Sequence, residues 1–231
     1  MRRAERHIDE AGLLGRPLDE PAAATAPPVL LIPGYGSRDA SMSAIARSLT
    51  RDGFRVSQMT PPEDGFGDVR RDAEFVLDHV QALAASSCAA VDLVGHSRGG
   101  LVARAARQLL GDKTSIGRVI TIASVNRGVP LGYLRPLANR VLPGNLRQYL
   151  RDESLIDELH ATRAGVDLVS IGTLGFDGVV SEPVSRIDGS PFIAVDEGRT
   201  IGPLSRLGHY HLLRDDVTYE AVRDALLRST Y

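Results

Sequence analysis

The sequence predicts an α/β fold, a mostly parallel central sheet with helices on both faces. Short, continuous apolar runs such as Val29-Leu30-Leu31-Ile32 and Val119-Ile120-Thr121-Ile122-Ala123 suit parallel strands buried on both sides. These runs alternate with stretches whose apolar residues recur at helical spacing, the rhythm of strand–helix–strand crossovers. The 231 residues, 43% of them hydrophobic, are enough for one domain with a single core.

Taken in order, residues 1–28 read as an N-terminal arm or linker. A thin apolar face at Ile8, Ala11, Leu13 and Leu14 precedes an Ala/Pro-rich connector. One domain is expected over 29–231. Its first strand, Val29–Ile32, ends in Pro33-Gly34-Tyr35-Gly36-Ser37. A helix is expected from about Ala40 to Arg51, with Met42, Ile45, Ala46 and Leu49 on one face and Asp52-Gly53 as the stop. Phe54–Met59 is the next strand. Val69 to Ala85 is a long amphipathic helix carrying Val69, Ala73, Val76, Leu77, Val80, Leu83 and Ala84 at helical spacing. A strand at Val91–Val94 and a helix at Leu101–Leu110 follow, then Val119–Ala123. The rhythm breaks at about 126–164, where prolines, glycines and many leucines suggest an insertion with short helical pieces such as Ser154–His160. Asp167–Gly172 and Phe192–Val195 are strands, and Thr218–Leu227 is the closing helix.

Composition narrows the function. A formal charge of −2 gives no electrostatic reason to expect nucleic acid as a partner. The single cysteine, Cys88, forms no intrachain disulfide and is expected as a small packed residue. No cluster of Cys and His has metal-ligand spacing. No apolar h-region follows the charged start Met1-Arg2-Arg3, and no apolar run approaches membrane-spanning length, so a cytoplasmic chain without a membrane span is expected.

The chain is organised around Val91-Asp92-Leu93-Val94-Gly95-His96-Ser97-Arg98-Gly99-Gly100. A serine in Gly-x-Ser-x-Gly between a strand and a helix is a nucleophile elbow. The strained turn requires nearly side-chain-free neighbours, and the helix N-terminus favours negative charge developing on a substrate. Serine alone is a poor nucleophile; it needs a base, an orienting carboxylate and an oxyanion hole. On such an elbow the partners follow in the order serine, acid, histidine. The acid candidate is Asp177, just past the Asp167–Gly172 strand, with Asp188 and Glu182 as rivals. The base candidate is His209, in Gly208-His209-Tyr210-His211-Leu212-Leu213, with His211 as rival and Gly208 expected to free the loop. One His209 nitrogen is expected to face Ser97 and the other Asp177. His96 is expected to point elsewhere and to be structural, and His7, His79 and His160 to be solvated. The oxyanion donors are the backbone N–H groups of Arg98 and Tyr35, the latter between Gly34 and Gly36.

On these segments the sequence resembles serine lipases and esterases of the α/β-hydrolase superfamily, near the small bacterial triacylglycerol lipases. The matching stretches are Leu31–Gly36, Val91–Gly100, Val119–Asn126, Ser154–Leu159, Asp177–Arg186 and Gly208–Leu213. The resemblance implies an α/β-hydrolase fold, hydrolysis of carboxylic esters without a cofactor, and a lid-like insertion at about 126–164. Two positions depart from the family. Pro33-Gly34 stands where His-Gly is usual, and Arg98 replaces an apolar residue, often Met. Both act through backbone, so the hole survives. The Arg98 side chain is expected to pair with a nearby surface acid, or else to bias the site toward substrates carrying a carboxylate or phosphate. The expected function is hydrolysis of lipid-like or other apolar esters through an acyl-enzyme. The rivals are an acyltransferase or thioesterase on the same fold, and a non-catalytic binding protein.

Overall fold

A computed structural model describes residues 26–110, 115–130, 144–150, 154–163, 165–196 and 208–228. Among them, six strands form one parallel sheet: β1 (Val29–Ile32), β2 (Val56–Gln58), β3 (Val91–His96), β4 (Ile116–Ile122), β5 (Leu168–Gly172) and β6 (Phe192–Ala194). Their order is β2-β1-β3-β4-β5-β6, with every pairing parallel. The helices are α1 (Ser43–Arg51), α2 (Val69–Ser87), α3 (Arg98–Ala105), α4 (Gly144–Arg147), α5 (Ser154–Ala161), α6 (Glu182–Ser185) and α7 (Asp216–Leu227). This is the parallel sheet between helices that the alternating pattern predicts, and the α/β-hydrolase fold that the resemblance implies.

Alternation along the strands splits the core into two layers. Leu30, Ile32, Leu93 and Val119 pack with Val76 and Val80 of α2, Leu101 and Val102 of α3, and Leu155 and Leu159 of α5. Val29, Leu31, Val94, Ile120 and Ile122 face the other way, against Ile45 and Leu49 of α1 and Val222 and Leu226 of α7. Because both strand faces are buried, the strands read as unbroken apolar runs.

Local chemistry sets the helix ends. Asp68 caps α2, its carboxylate accepting from the N–H groups of Arg70 and Arg71 at 2.8 and 3.3 Å. Cys88 ends it at φ 53°, its N–H donating to Ala84 O at 2.8 Å. Cys88 is exposed rather than packed, because the left-handed cap turns it outward. Asp215 caps α7 through Thr218 N–H at 3.2 Å. α3 starts at Arg98, three residues earlier than its propensities suggest, and runs on into a π-helical turn at Ala106–Leu110.

The sheet order places the site. β2 lies on one side of β1 and β3 on the other, so the loops after β1 and β3 diverge and leave a crevice at their carboxyl ends. Ile32 pairs with Gly95, and His96 with Ile122, so the strand ends lie abreast. The expected insertion is described at 126–130, 144–150 and 154–163; the rest of it and residues 1–25 lie outside the described residues.

Candidate active site

Ser97 stands between β3 and α3 at φ 53° and ψ −123°, a conformation rare outside glycine. Its N–H donates to Ile122 O at 2.8 Å, and its carbonyl accepts from Gly100 N at 3.1 Å. The glycines are sterically required. A Cβ on Gly95 would lie 2.5 Å from Gly100 N, and one on Gly99 would lie 2.5 Å from Pro33 O. The elbow therefore sits directly on the end of β1. A Cβ on Gly34 would lie 3.1 Å from Ser97 Cβ and 3.2 Å from His96 Nδ1, so the loop after β1 packs on the serine itself.

Asp177 and His209 meet. His209 Nδ1 lies 2.8 Å from Asp177 Oδ2, with both side chains buried. The acid is held by its own turn, in which Phe176 pairs with Ser181 and Asp177 Oδ1 accepts from Val179 and Val180 N–H groups at 2.8 and 2.6 Å. Burial pushes the Asp177 carboxyl up. The hydrogen bond and charge of His209 and the two backbone donors outweigh that and hold it below its ordinary value. His209 N–H also donates to Asp177 O at 2.9 Å. Gly208 is not what frees this loop, since a Cβ there would meet Asp177 O at an ordinary 3.5 Å. His209 Nε2 is buried and makes no hydrogen bond, so no bond to Ser97 is formed. Contacts of this kind often tighten only around substrate.

The rivals go elsewhere. His211 is exposed in a short 3₁₀ turn. Asp188 pairs with Arg127, and Glu182 with Arg186 at 2.9 Å. His79 and His160 are half-buried rather than solvated, bonded through ring nitrogens to Phe75 O and Asn126 O at 2.9 and 3.3 Å. His96 points toward His209, not away from it. Its Nε2 bonds His209 O at 3.0 Å, and the two rings pack at 4.6 Å. Burial, then the neighbouring His209, pushes its pKa down to about 3, so it stays neutral with the proton on Nε2.

Arg98 is the first residue of α3, so its N–H has no intrahelical acceptor and faces the crevice end of the helix. Its side chain pairs with an acid, as expected, but in the interior. The guanidinium is buried, not at the surface, and bonds Asp72 Oδ2, Tyr149 Oη and Gly67 O at 2.6, 2.7 and 2.8 Å. Fully engaged, it does not reach for a substrate anion. Burial pushes the Asp72 carboxyl up, against the pull of Arg98. Asp72 was findable in the sequence as a charge on the Val69, Ala73, Val76 face of α2; Tyr149 gave no such signal.

Among the described residues, the exposed large hydrophobic side chains are Phe66, Leu174, Phe176, Val179 and Tyr210. Phe66 packs on Tyr35 with ring centroids 4.8 Å apart, the next three flank Asp177, and Tyr210 follows His209.

A protein-family model described as palmitoyl protein thioesterase matches residues 28–154, more than half of the chain. No curated protein sequence matches. Solved structures share the fold. A Bacillus licheniformis lipase in mature form is 16% identical with a TM-score of 0.64, over 92% of this chain and 96% of that one. Aspergillus fumigatus lipase B is 15% identical with a TM-score of 0.61, over 97% of this chain but 56% of that one. An N-formylmaleamic acid deformylase from Pseudomonas putida is 14% identical with a TM-score of 0.59, over 87% and 92%.

Proposed function

The chain belongs to the palmitoyl protein thioesterase family, and from that premise we propose that it is a serine hydrolase cleaving apolar acyl esters through an acyl-enzyme. The observation that carries this reading is the strained Ser97 elbow beside a buried His209–Asp177 pair at 2.8 Å. Ser97 Oγ attacks the acyl carbonyl while His209 Nε2 takes its proton. The N–H groups of Tyr35 and Arg98 hold the oxyanion. His209 then protonates the leaving group, and Asp177 stabilises the imidazolium meanwhile. Water attacks the acyl-serine by the same route and frees the acid, so protons balance without a cofactor.

The exposed apolar side chains around the site support a fatty acyl group over a small polar one. A thioester is the second reading, favoured by the family: the acyl half of the reaction is unchanged, and the leaving group is a thiol. The test compares p-nitrophenyl esters from acetate to palmitate with palmitoyl-coenzyme A, for the wild type and Ser97→Ala. Hydrolysis that favours long chains and vanishes in Ser97→Ala is expected. Turnover that persists in Ser97→Ala would overturn the proposal, and the ester-to-thioester ratio decides between the two readings.

A further inference from the structure

We propose that Tyr149 is a positioning residue that locks both halves of the oxyanion hole to the insertion. The inference rests on the reading of Tyr35 and Arg98 as the two donors. Tyr149 touches both. Its hydroxyl accepts from Arg98 Nε at 2.7 Å, and its ring meets that of Tyr35 edge-on, with centroids 6.3 Å apart at 88°. Both contacts come from one side chain of the segment 144–150, far in sequence from either donor.

The contacts are part of a tight knot. Arg98 also bonds Asp72 and Gly67 O, at the start of α2. Gln148 accepts from Val69 N–H at 2.8 Å and donates to Gly67 O and Tyr149 Oη at 3.2 and 3.3 Å. Tyr149 O accepts from Val129 N–H at 2.7 Å, which ties the segment to the chain leaving β4. Arg98 and Asp72 are almost fully buried, so the phenol oxygen is an acceptor that a desolvated guanidinium N–H needs. If Tyr149 merely filled space, its ring would suffice and its hydroxyl would not matter. An oxyanion hole depends on donor placement to a fraction of an ångström, and losing one donor outright costs about 10²–10³ in rate. Loosening the Arg98 half without removing its N–H should cost about ten-fold.

The experiment uses Tyr149→Phe, which keeps the ring against Tyr35 and deletes only the hydroxyl, with p-nitrophenyl octanoate as substrate. Arg98→Lys is made alongside it, to keep a charge for Asp72 while losing the Nε donor. The expected result for Tyr149→Phe is kcat down about ten-fold with KM within about two-fold. A serine-directed trifluoromethyl ketone, whose adduct carries the oxyanion, should weaken by the same factor as kcat/KM. In the Arg98→Lys background Tyr149→Phe should add little, because the contact between Arg98 Nε and the Tyr149 hydroxyl is already gone. Thermal melting checks that each variant is folded. Unchanged kcat, a loss confined to KM, or losses that multiply independently would overturn the proposal. If Ser97→Ala retains turnover, or the wild type cleaves no ester or thioester, the reading of the site falls and the proposal with it. A silent Ser97→Ala beside an unaffected Tyr149→Phe rejects this proposal alone.

Discussion

Replacing Asp177 by Asn tests the base–acid pair through a conflict the structure makes calculable. Asp177 Oδ1 accepts from Val179 and Val180 N–H groups, and those donors can face only an oxygen. The Asn oxygen must therefore take that position, which turns its NH₂ toward His209 Nδ1, now 2.8 Å from Oδ2. His209 can meet a donor only as an acceptor, so its proton moves to Nε2, where it blocks uptake of the serine proton. The flipped amide would set NH₂ against the Val179 and Val180 N–H donors, at about 1–3 kcal/mol for the buried Val180 partner alone. Expected is a fall in kcat of about 10⁴, or roughly 5.5 kcal/mol of transition-state stabilisation.

Steady-state ester hydrolysis from pH 6 to 10, normalised by fluorophosphonate titration of active sites, measures the effect. A stability comparison accompanies it. Asp177 is held below its ordinary value of 3.8, so its contribution is present above that pH and lost as pH falls through the depressed folded value. The stability gap between wild type and Asp177→Asn should thus be largest near neutrality and close in acid. Asp177→Asn retaining more than about a tenth of wild-type kcat would refute the tautomer argument.

Three other perturbations follow from the same geometry. His209→Ala should abolish turnover while His211→Ala leaves most of it; equal losses in the two would misassign the base. Gly95→Ala forces a Cβ to 2.5 Å from Gly100 N and should cost about 2–3 kcal/mol or more in urea unfolding, so an unchanged midpoint would contradict that packing. Asp92 is buried in β3 and its pKa is pushed from 3.8 up to about 6 by burial, so its neutral form stabilises the fold below pH 4 and that stability is lost as pH rises through 6. Asp92→Asn should therefore gain on wild type by roughly 2 kcal/mol between pH 4 and pH 8, and a pH-independent difference would remove burial as the cause.

Much of this fold is legible in the sequence because parallel strands buried on both faces leave unbroken apolar runs. β1 begins and ends where Val29–Ile32 does. The edge strand is less legible. Phe54 and Met59 are buried and extend the apolar run, yet only Val56–Gln58 pair with β1. α6 carries no long periodic stretch and escapes pattern reading altogether. Asp177 was visible as an Asp-Gly turn after a strand, but the N–H groups that hold its second oxygen depend on a hairpin no spacing announces. His96 reads as structural and Arg98 as paired with an acid, but the sequence does not record which element a turn aims its side chains at, so the His209 backbone and the buried Asp72 are not legible as their partners. Composition said nothing of Tyr149, whose partners lie at Tyr35 and Arg98, far off in the chain.

The five residues Gly95-His96-Ser97-Arg98-Gly99 each answer to a different neighbour. Gly95 leaves room for Gly100 N, and Gly99 for the end of β1. His96 holds the His209 backbone at 3.0 Å, and being neutral it does so without adding charge beneath the His209 imidazole. Arg98 ties the elbow to α2 and to the insertion. Ser97 is left with the strain, of order 1–3 kcal/mol for a non-glycine residue in such a conformation. That strain persists only because four neighbours over-determine the turn. The same physical logic explains the departure at Arg98: a Met there would keep the backbone N–H at the helix terminus but would leave Asp72 buried without its cation. Arg98 and Asp72 therefore have to change together, and a chain carrying only one of them would lose the fold around the site before it lost the chemistry.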